Sequence, residues 1–216
     1  MIKLVMFDLD GTLADTIEDI AACVNGALAR RGLPAHDIPA YKLMVGNGFR
    51  TLIERAAPPE ARNASLLEEL RAEAQAAYDA EPVALTRPYA GVPELLSALK
   101  ARGLALAVLS NKPDGLAVQV VERLFPGAGF SLVRGETPAF PRKPDPAGAL
   151  DIARRLGASP AECLYVGDTD VDMETARRAG MTAVGAAWGF RGRQELEEAG
   201  ADSIIAAPGE LLALLD

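Results

Sequence analysis

The sequence predicts an α/β fold in which a doubly wound parallel sheet carries a long helical insertion. Three observations lead to this prediction. Short apolar runs alternate with helical patterns along most of the chain, as is typical of a parallel sheet with helices on both faces. Glycines stand where the predicted helices end. The stretch between residues 15 and 88 breaks the alternation, because it has helical patterns and no convincing strand.

The predicted strands are short apolar runs of the kind found in sheets that are buried on both faces. They are residues 2–7, 104–109, 164–166, 182–186 and 203–206, with a weaker and shorter candidate at 130–133. The helices predicted between them are residues 92–101, 115–124, 146–156, 171–179 and 194–199. Ligands of such sheets bind beyond the carboxyl ends of the strands, so functional residues are expected there.

The insertion contains two segments rich in Ala, Leu and Glu, residues 16–31 and 64–80, that have helical patterns. Turns are predicted at "VGNG", which begins at residue 45, and at "APPE", which begins at residue 57. The chain returns to the sheet at "RPYAGVPE". We therefore predict a catalytic core of residues 1–14 and 89–216 and a helical cap domain of residues 15–88 over the edge of the sheet.

Composition and charge exclude several classes of protein. The chain has 216 residues, half of them hydrophobic, which is enough for one well-formed core. No apolar run reaches the about 18 residues of a membrane span, and "MIKLVMF" is typical of a strand rather than a signal peptide. The formal charge of −8 argues against nonspecific binding to nucleic acid or anionic lipid. Cys23 and Cys163 form neither a disulfide framework nor a zinc motif, so a cytoplasmic location is expected.

The first predicted strand ends in "FDLDGT", where two carboxylates follow a buried run. Asp8 and Asp10 are two residues apart, so their side chains point the same way in an extended chain. Gly11 permits a tight turn whose backbone N–H can approach an anion. The alternative interpretation is a turn with solvated acids. Complementary chemistry at the other strand ends favours the functional interpretation.

A second group of acids follows the strand in "CLYVGDTDVDMETARRAG". Asp168 and Asp172 are four residues apart, so they can lie on one face of the first helical turn. The structural alternative is N-capping by Asp168 or Asp170, which acids near a helix N-terminus favour. Capping needs one acid, however, and a cluster opposite Asp8 and Asp10 is better explained by a hard cation. Oxygen ligands of this kind suit Mg2+.

Two further stretches contain groups that can bind a phosphoryl oxygen. In "LSNKPDG", Ser110 and the backbone N–H of Asn111 are suitable donors, although alone they would indicate an ordinary turn. In "PRKPDP", Lys143 lies between prolines ahead of a helix and could clamp a phosphate. Together with the acids, these residues predict phosphoryl transfer to a carboxylate. Mg2+ and lysine would balance its charge, and a second acid would protonate the leaving oxygen.

The segments "FDLDGT", "SNK", "RKPDP" and "VGDTDVD" resemble, in order and spacing, the motifs of the haloacid-dehalogenase-like (HAD) phosphohydrolase superfamily. The resemblance covers nearly the whole chain. It implies a Rossmann-like parallel sheet core with an inserted helical cap domain. It also implies that Asp8 is the nucleophile that becomes phosphorylated and that Asp10 is the general acid and base.

The same resemblance implies the remaining site residues. The side chains that would hold the phosphoryl group are Ser110 and Lys143. Substrate-binding positions beside them, partly through backbone amides, are Gly11, Thr12 and Asn111. The implied ligands of Mg2+ are Asp8, Asp10 through its carbonyl, Asp168 and Asp172, the last of which binds or supports the metal.

Within the superfamily the chain is most similar to phosphoglycolate phosphatases, in "DLDGTLADT", "VGNGFRTLIERA" and "RPYAGVPELLSALKARG". The resemblance implies hydrolysis of a small phosphorylated metabolite, and 2-phosphoglycolate is the substrate expected first. The expected oligomeric state is a monomer or homodimer. Related pyrophosphatases and broad-range sugar phosphatases share much of this pattern. A sugar phosphomutase is disfavoured by the threonine of "DGT" and by the phosphatase-like cap. A phospho-receiver or a noncatalytic binding protein is the alternative of a different class.

A cap that selects 2-phosphoglycolate should offer its carboxylate a cation or backbone donors. The candidate cations are Arg50, Arg87 and Arg191, and the alternative for Arg50 is a solvated surface arginine. The candidate backbone donors belong to the turn formed by Gly46, Asn47 and Gly48, and the alternative is a simple turn between helices.

Overall fold

The structure is a computed structural model and describes residues 1–215. Its strands, in chain order, are β1 (Leu4–Phe7), β2 (Ala14–Asp15), β3 (Arg87–Pro88), β4 (Ala105–Pro113), β5 (Leu132–Glu136), β6 (Cys163–Gly167), β7 (Thr182–Ala186) and β8 (Ser203–Ile205). Six of them form one sheet in the order β5-β4-β1-β6-β7-β8, and all neighbouring pairs are parallel. The predicted α/β class is confirmed, and the first strand lies inside the sheet.

The helices connect these strands and fill the insertion. They are α1 (Ile17–Ala29), α2 (Ile38–Met44), α3 (Phe49–Ala56), α4 (Ala64–Ala80), α5 (Val92–Ala101), α6 (Asp114–Leu124), α7 (Ala147–Arg155), α8 (Asp170–Ala179) and α9 (Arg193–Glu198). Predicted helices at 64–80 and 92–101 have the predicted bounds. Within residues 1–215, no helix combines the length and the apolar character that crossing a bilayer requires.

Two apolar layers bury the faces of the sheet. Alternate residues of a strand point to opposite faces. In β1, Val5 and Phe7 pack with α5 and α6, whereas Leu4 and Met6 pack with α7 and α8. All four side chains are buried. This double burial explains why the strand is a continuous apolar run, and each such side chain contributes about 1.5–3 kcal/mol of transfer free energy.

The helical insertion has an apolar cluster of its own, built by α1, α2, α3 and α4. Tyr41, Leu70 and Tyr78 are among its fully buried side chains. Leu116 of α6 and Phe190 join the same cluster, so the insertion packs against residues that follow strands of the sheet. The division of the chain into a core domain and a cap domain stays a prediction.

Helix α2 was absent from the sequence prediction. It has only seven residues, too few to show a helical period. Its start is marked by Asp37, whose side chain accepts a hydrogen bond from the backbone N–H of Ala40 at 2.9 Å. Pro39 lies in the first turn, where its missing N–H costs nothing.

The expectation of no strand within the insertion is wrong at its two ends. β2 pairs antiparallel with β3, so that Ala14 lies opposite Pro88 and Asp15 opposite Arg87. Strands of two residues have no periodicity that a sequence can show, and proline is depleted in strands. The pairing joins the two points at which the chain enters and leaves the insertion. β5 also begins two residues later than predicted, at Leu132.

Candidate active site

Three carboxylates that follow two neighbouring strands, β1 and β6, meet at the carboxyl edge of the sheet. Asp8 follows β1, Asp168 follows β6, and Asp172 lies in the first turn of α8. Each offers an oxygen atom within 4.8 Å of the others. All three side chains are buried. The parallel pairing of β1 with β6 brings these acids together, although the sequence separates them widely.

Lys143 connects two of these carboxylates. Its Nζ lies 2.8 Å from Oδ1 of Asp8 and 2.7 Å from Oδ1 of Asp172. Burial alone would lower the pKa of Lys143, but the carboxylates of Asp172 and Asp8 raise it well above its ordinary value. Lys143 is therefore an ammonium ion over the whole working range of pH.

The surroundings of the acids disfavour their charged forms. Burial raises the pKa of Asp8 to about 7, against the opposing effect of Lys143. Burial and the charges of Asp172 and Asp8 raise the pKa of Asp168 well above its ordinary value. When all three acids are ionised, they and the Lys143 ammonium group together carry two net negative charges, which one divalent cation would balance. The oxygen-only donor set fits a hard cation of that charge.

Asp168 is held from two sides by hydrogen-bond donors. The Thr12 hydroxyl donates to its Oδ1 at 3.1 Å, and the backbone N–H of Phe190 donates to its Oδ2 at 2.8 Å. Gly11 makes this approach possible, because its φ is +91° and a Cβ there would lie 2.2 Å from Oδ2 of Asp168. The structure thus places Gly11 and Thr12 beside Asp168.

Asp172 caps helix α8 and also belongs to the acid cluster. Its Oδ2 accepts hydrogen bonds from the backbone N–H and the hydroxyl of Thr169, at 3.1 and 2.7 Å. This capping box begins α8 and fixes the carboxylate while Oδ1 binds Lys143. Asp170 is exposed and does not join the cluster.

Asp10 lies apart from the three-acid cluster and pairs with a different lysine. Nζ of Lys112 lies 2.8 and 3.0 Å from the two carboxylate oxygens of Asp10. The same Nζ donates to the hydroxyl oxygen of Tyr78, a residue of α4, at 2.9 Å. Burial alone would lower the pKa of Lys112, but Asp10 raises it above its ordinary value. A buried ammonium group therefore links Asp10 to the helical insertion.

Sequence reasoning missed Lys112 and Tyr78. A signal for Lys112 exists, since it is two residues from Ser110 at a strand end and shares a face with it. Tyr78 offers no comparable signal. It belongs to the buried stripe of α4 with Leu70 and Ala74, where an ordinary core tyrosine would look the same.

A cavity of about 560 Å³, including its open mouth, lies between the sheet edge and the insertion. Its polar lining is Asp8, Asp10, Tyr78, Ser110, Asn111, Lys112, Lys143 and Thr169. The rest of its lining is Ile20, Val45, Gly46, Gly48, Phe49, Leu52, Pro113, Leu116 and Phe190. Gly11, Thr12, Asn47 and Arg50 were expected to bind substrate, but they are absent from this lining.

Asn111 joins three parts of the site. Its Oδ1 accepts the backbone N–H of Lys143 at 2.8 Å, and its Nδ2 donates to the Lys143 carbonyl at 3.1 Å. Nδ2 also donates to the carbonyl of Gly46 at 3.0 Å. Ser110, beside it, accepts the backbone N–H of Lys112 at 3.2 Å and is buried at the cavity wall. Asn111 thus orients the loop that carries Lys143.

The glycine-rich turn faces the sheet through its carbonyl groups. Besides the bond from Asn111 to Gly46, the Arg142 guanidinium donates to the carbonyl of Asn47 at 2.9 Å. Gly46 and Gly48 line the cavity. These hydrogen bonds connect the turn to the residues around Lys143. That its backbone N–H groups bind substrate stays a prediction.

The three arginines expected as carboxylate partners lie elsewhere. The structure does not bring Arg50 to the cavity, because its side chain is 77 % exposed and pairs with Glu54 at 3.3 Å. Arg87 donates to the carbonyl oxygens of Ala84 and Thr86. Arg191 donates to the carbonyl oxygens of three residues around the end of α2, which are Lys42, Leu43 and Val45. Arg50 thus lies at the surface, away from the cavity, and its role as a substrate contact stays a prediction.

Comparisons with known proteins agree with this fold. The sequence profile that describes haloacid dehalogenase-like hydrolases matches residues 5–186. The chain therefore belongs to the haloacid dehalogenase-like hydrolase family. The family and the hydrolytic enzyme class that the motifs predicted are confirmed.

Particular relatives match over nearly the full length. A phosphoglycolate phosphatase of Aquifex aeolicus is 34 % identical over 214 residues, which cover 99 % of this chain and 97 % of the relative. An N-acetylmuramic acid 6-phosphate phosphatase of Pseudomonas aeruginosa is 33 % identical over 216 residues, covering 100 % and 95 %. The crystal structure of a predicted phosphoglycolate phosphatase from Haemophilus somnus matches with a TM-score of 0.92, 29 % identity and coverage of 100 % and 98 %. The predicted similarity to phosphoglycolate phosphatases is confirmed.

Proposed function

We propose that the protein is a Mg2+-dependent phosphomonoesterase that hydrolyses a small phosphorylated metabolite, with 2-phosphoglycolate as its substrate. The observation that carries the proposal is the meeting of Asp8, Asp168, Asp172 and Lys143 at one end of a cavity that also contains Asp10. A buried nucleophile, a cation-binding acid cluster and a second carboxylic acid are the groups that phosphoryl transfer through a carboxylate needs.

Asp8 is the nucleophile of this proposal. One of its oxygen atoms attacks phosphorus while the bond from phosphorus to the ester oxygen breaks, which gives an aspartyl phosphate. Asp10 in its protonated form donates a proton to the departing oxygen, so the product leaves as an alcohol. Lys143 and Ser110 hold the phosphoryl oxygens, and Lys143 also opposes the negative charge of Asp8.

Hydrolysis of the aspartyl phosphate restores the protein. Asp10, now a carboxylate, takes a proton from a water molecule as that water attacks phosphorus. The bond between phosphorus and the Asp8 oxygen breaks, and inorganic phosphate leaves. Asp8, Asp168 and Asp172, with the Asp10 carbonyl, would hold Mg2+, which when bound offsets the charge of the phosphoryl group and the nucleophile.

The choice of substrate rests on the relatives. The Aquifex relative named phosphoglycolate phosphatase supports 2-phosphoglycolate. A sugar phosphatase is the second candidate, since the Pseudomonas relative named N-acetylmuramic acid 6-phosphate phosphatase is 33 % identical. The cytoplasmic location, the absence of nucleic-acid and membrane partners, and the monomeric or homodimeric state stay predictions.

Phosphate release from a panel of esters tests the proposal. The panel contains 2-phosphoglycolate, pyrophosphate, N-acetylmuramic acid 6-phosphate, other sugar phosphates and a nucleotide, each with Mg2+ and with EDTA. The expected result is Mg2+-dependent release with the highest kcat/KM for 2-phosphoglycolate. Equal activity on many esters would support the phosphatase reaction but refute 2-phosphoglycolate as the specific substrate. No release from any ester would refute the phosphatase itself.

A further inference from the structure

The cavity contains two cations with different surroundings. Among the described residues that line it, Lys112 and Lys143 are the cationic ones. Lys143 is committed to the acid cluster by its bonds to Asp8 and Asp172. A substrate with a phosphate and a second anionic group needs a second positive charge, because burying an unpaired carboxylate is costly. Lys112 lies outside the three-acid cluster, paired with Asp10 and bonded to Tyr78, so it is the cavity cation that can also pair with that group.

The position of Lys112 matches the position of a carboxylate on the leaving group. In the proposed reaction the ester oxygen must lie within hydrogen-bond reach of Asp10, which protonates it. Nζ of Lys112 lies 2.8 Å from Oδ1 of Asp10. In 2-phosphoglycolate a single methylene separates the ester oxygen from the carboxylate carbon. A carboxylate attached so closely to that oxygen comes within reach of Lys112.

Tyr78 provides an unused donor at the same place. Its hydroxyl oxygen accepts the bond from Lys112, and its own proton makes no hydrogen bond within residues 1–215. Tyr78 is buried and lines the cavity, and buried donors of this kind nearly always have a partner. Burial raises the pKa of Tyr78 to about 12, so the donor is retained at neutral pH. The ring stacks on Phe49 with centroids 6.4 Å apart, which orients the hydroxyl.

We propose that Lys112 and Tyr78 form a subsite that selects phosphate esters whose leaving group carries a carboxylate. This inference rests on the proposed phosphatase function and assigns the residues that recognise the second anionic group. Lys112 now donates to both oxygens of Asp10 and to Tyr78. A substrate carboxylate accepts a hydrogen bond from the Tyr78 hydroxyl and replaces one Asp10 oxygen as a partner of the Lys112 ammonium group. The contact of Lys112 with the other Asp10 oxygen keeps Asp10 in place.

The test compares two esters that differ in this one group. The esters are 2-phosphoglycolate and 2-hydroxyethyl phosphate, in which a neutral hydroxymethyl group replaces the carboxylate. The measured quantity is the ratio of their kcat/KM values in wild type, Lys112→Met and Tyr78→Phe. We expect wild type to prefer 2-phosphoglycolate. Lys112→Met should reduce the ratio by about 30-fold or more and Tyr78→Phe by about fivefold, mainly through KM for 2-phosphoglycolate.

A matched control separates this effect from the general loss of one positive charge. Arg71 lies on the same helix as Tyr78 but pairs with Glu68 and is absent from the cavity lining. Arg71→Met should leave the ratio at its wild-type value. If Lys112→Met fails to fold, Tyr78→Phe decides the matter, since it keeps the ring that packs against Phe49.

The outcomes distinguish the subsite from the function on which it rests. A wild-type preference that persists in Lys112→Met and Tyr78→Phe, with both esters losing activity equally, overturns the subsite and limits Lys112 to supporting Asp10. A wild type without any preference overturns the subsite together with the choice of 2-phosphoglycolate. A wild type that hydrolyses neither ester nor any sugar phosphate refutes the phosphatase proposal.

Discussion

The two walls of the cavity differ in the number of charged side chains that they contribute. The wall from the sheet edge contributes Asp8, Asp10 and Lys143, each in an ion pair with a buried partner. The wall from the helical insertion contributes apolar side chains such as Phe49 and Leu52, with few polar groups among them. In the proposed function, the sheet edge therefore supplies the groups for phosphoryl transfer, whereas the insertion excludes water and selects the ester.

The sheet-edge wall also holds its charges more firmly. Asp172 is fixed by the capping box of α8, and Asp168 by Thr12 and the backbone of Phe190. Within residues 1–215, the insertion contacts these groups through the Tyr78 side chain, which accepts a bond from Lys112, and through the turn that accepts bonds from Asn111 and Arg142. Changes at the acids and at Lys143 should therefore affect the reaction itself, whereas changes at Tyr78 of the insertion, and at Lys112 to which it is bonded, should affect the choice of substrate.

Asp8→Asn should produce the largest effect. The amide cannot attack phosphorus, so kcat should fall by about four orders of magnitude or more. The measurement is Mg2+-dependent phosphate release, with circular dichroism as the check that the variant is folded. Asp8→Asn that keeps more than a small percentage of wild-type turnover would rule out the nucleophile assignment.

Asp10→Asn should produce the next largest effect. Without a group that moves the proton, departure of the leaving oxygen and attack by water both slow, and kcat should fall by about 10²–10⁴-fold. Lys112 would face a neutral amide, so some loss of stability is expected as well. The measurement is single-turnover kinetics, which resolves the two steps. Normal rates in both steps would remove Asp10 from the mechanism.

The acid cluster should make the stability of the metal-free protein depend on pH. Folding raises the pKa of Asp8 from 3.8 to about 7, so between these values the folded state binds more protons than the unfolded state. The free energy of unfolding in EDTA should therefore fall as pH rises from about 4 to about 7, by an amount on the order of 4 kcal/mol, since one pKa unit corresponds to about 1.4 kcal/mol. Urea unfolding at several pH values measures it. Stability that rises over this range would contradict the buried cluster.

Mg2+ should oppose this fall in stability with rising pH. Asp168→Asn provides the comparison. Because ligands must be deprotonated, stabilisation by Mg2+ should be larger at pH 8 than at pH 5.5. Asp168→Asn removes one buried charge from the cluster, so the metal-free variant should be more stable than wild type at pH 8 and should gain little from Mg2+. Equal stabilisation of the variant and wild type by Mg2+ would place the cation elsewhere.

Arg50→Met should have the smallest effect and sharpens the contrast within the insertion. Arg50 is exposed and paired with Glu54, and exposed pairs contribute about 0–1 kcal/mol. We expect kcat/KM for 2-phosphoglycolate to change by less than about twofold. Steady-state kinetics beside Tyr78→Phe measures it. A loss larger than that of Tyr78→Phe would restore Arg50 as a substrate contact.

The fold class and the acid cluster could be predicted because their signals are local. Strand β1 is a continuous apolar run because both faces are buried, and the helix at 92–101 ends before Gly103. Asp8 and Asp168 were grouped because parallel strands bring their carboxyl ends to one edge. The short helix α2 and the two-residue strands were not predicted, because segments of that length have no periodicity to detect.

The sequence by itself determined the parallel sheet, the helical insertion and the acids at the strand ends, since all of these depend on local periodicity and on a general rule of topology. Only the tertiary structure decided which side chains of the insertion face those acids. Tyr78 reaches Lys112 across 34 residues of sequence, and Lys112 reaches Asp10 across 102. Which residue of a helix meets such a partner depends on how the helix packs, and that is why Tyr78 lines the cavity while Arg50 faces solvent.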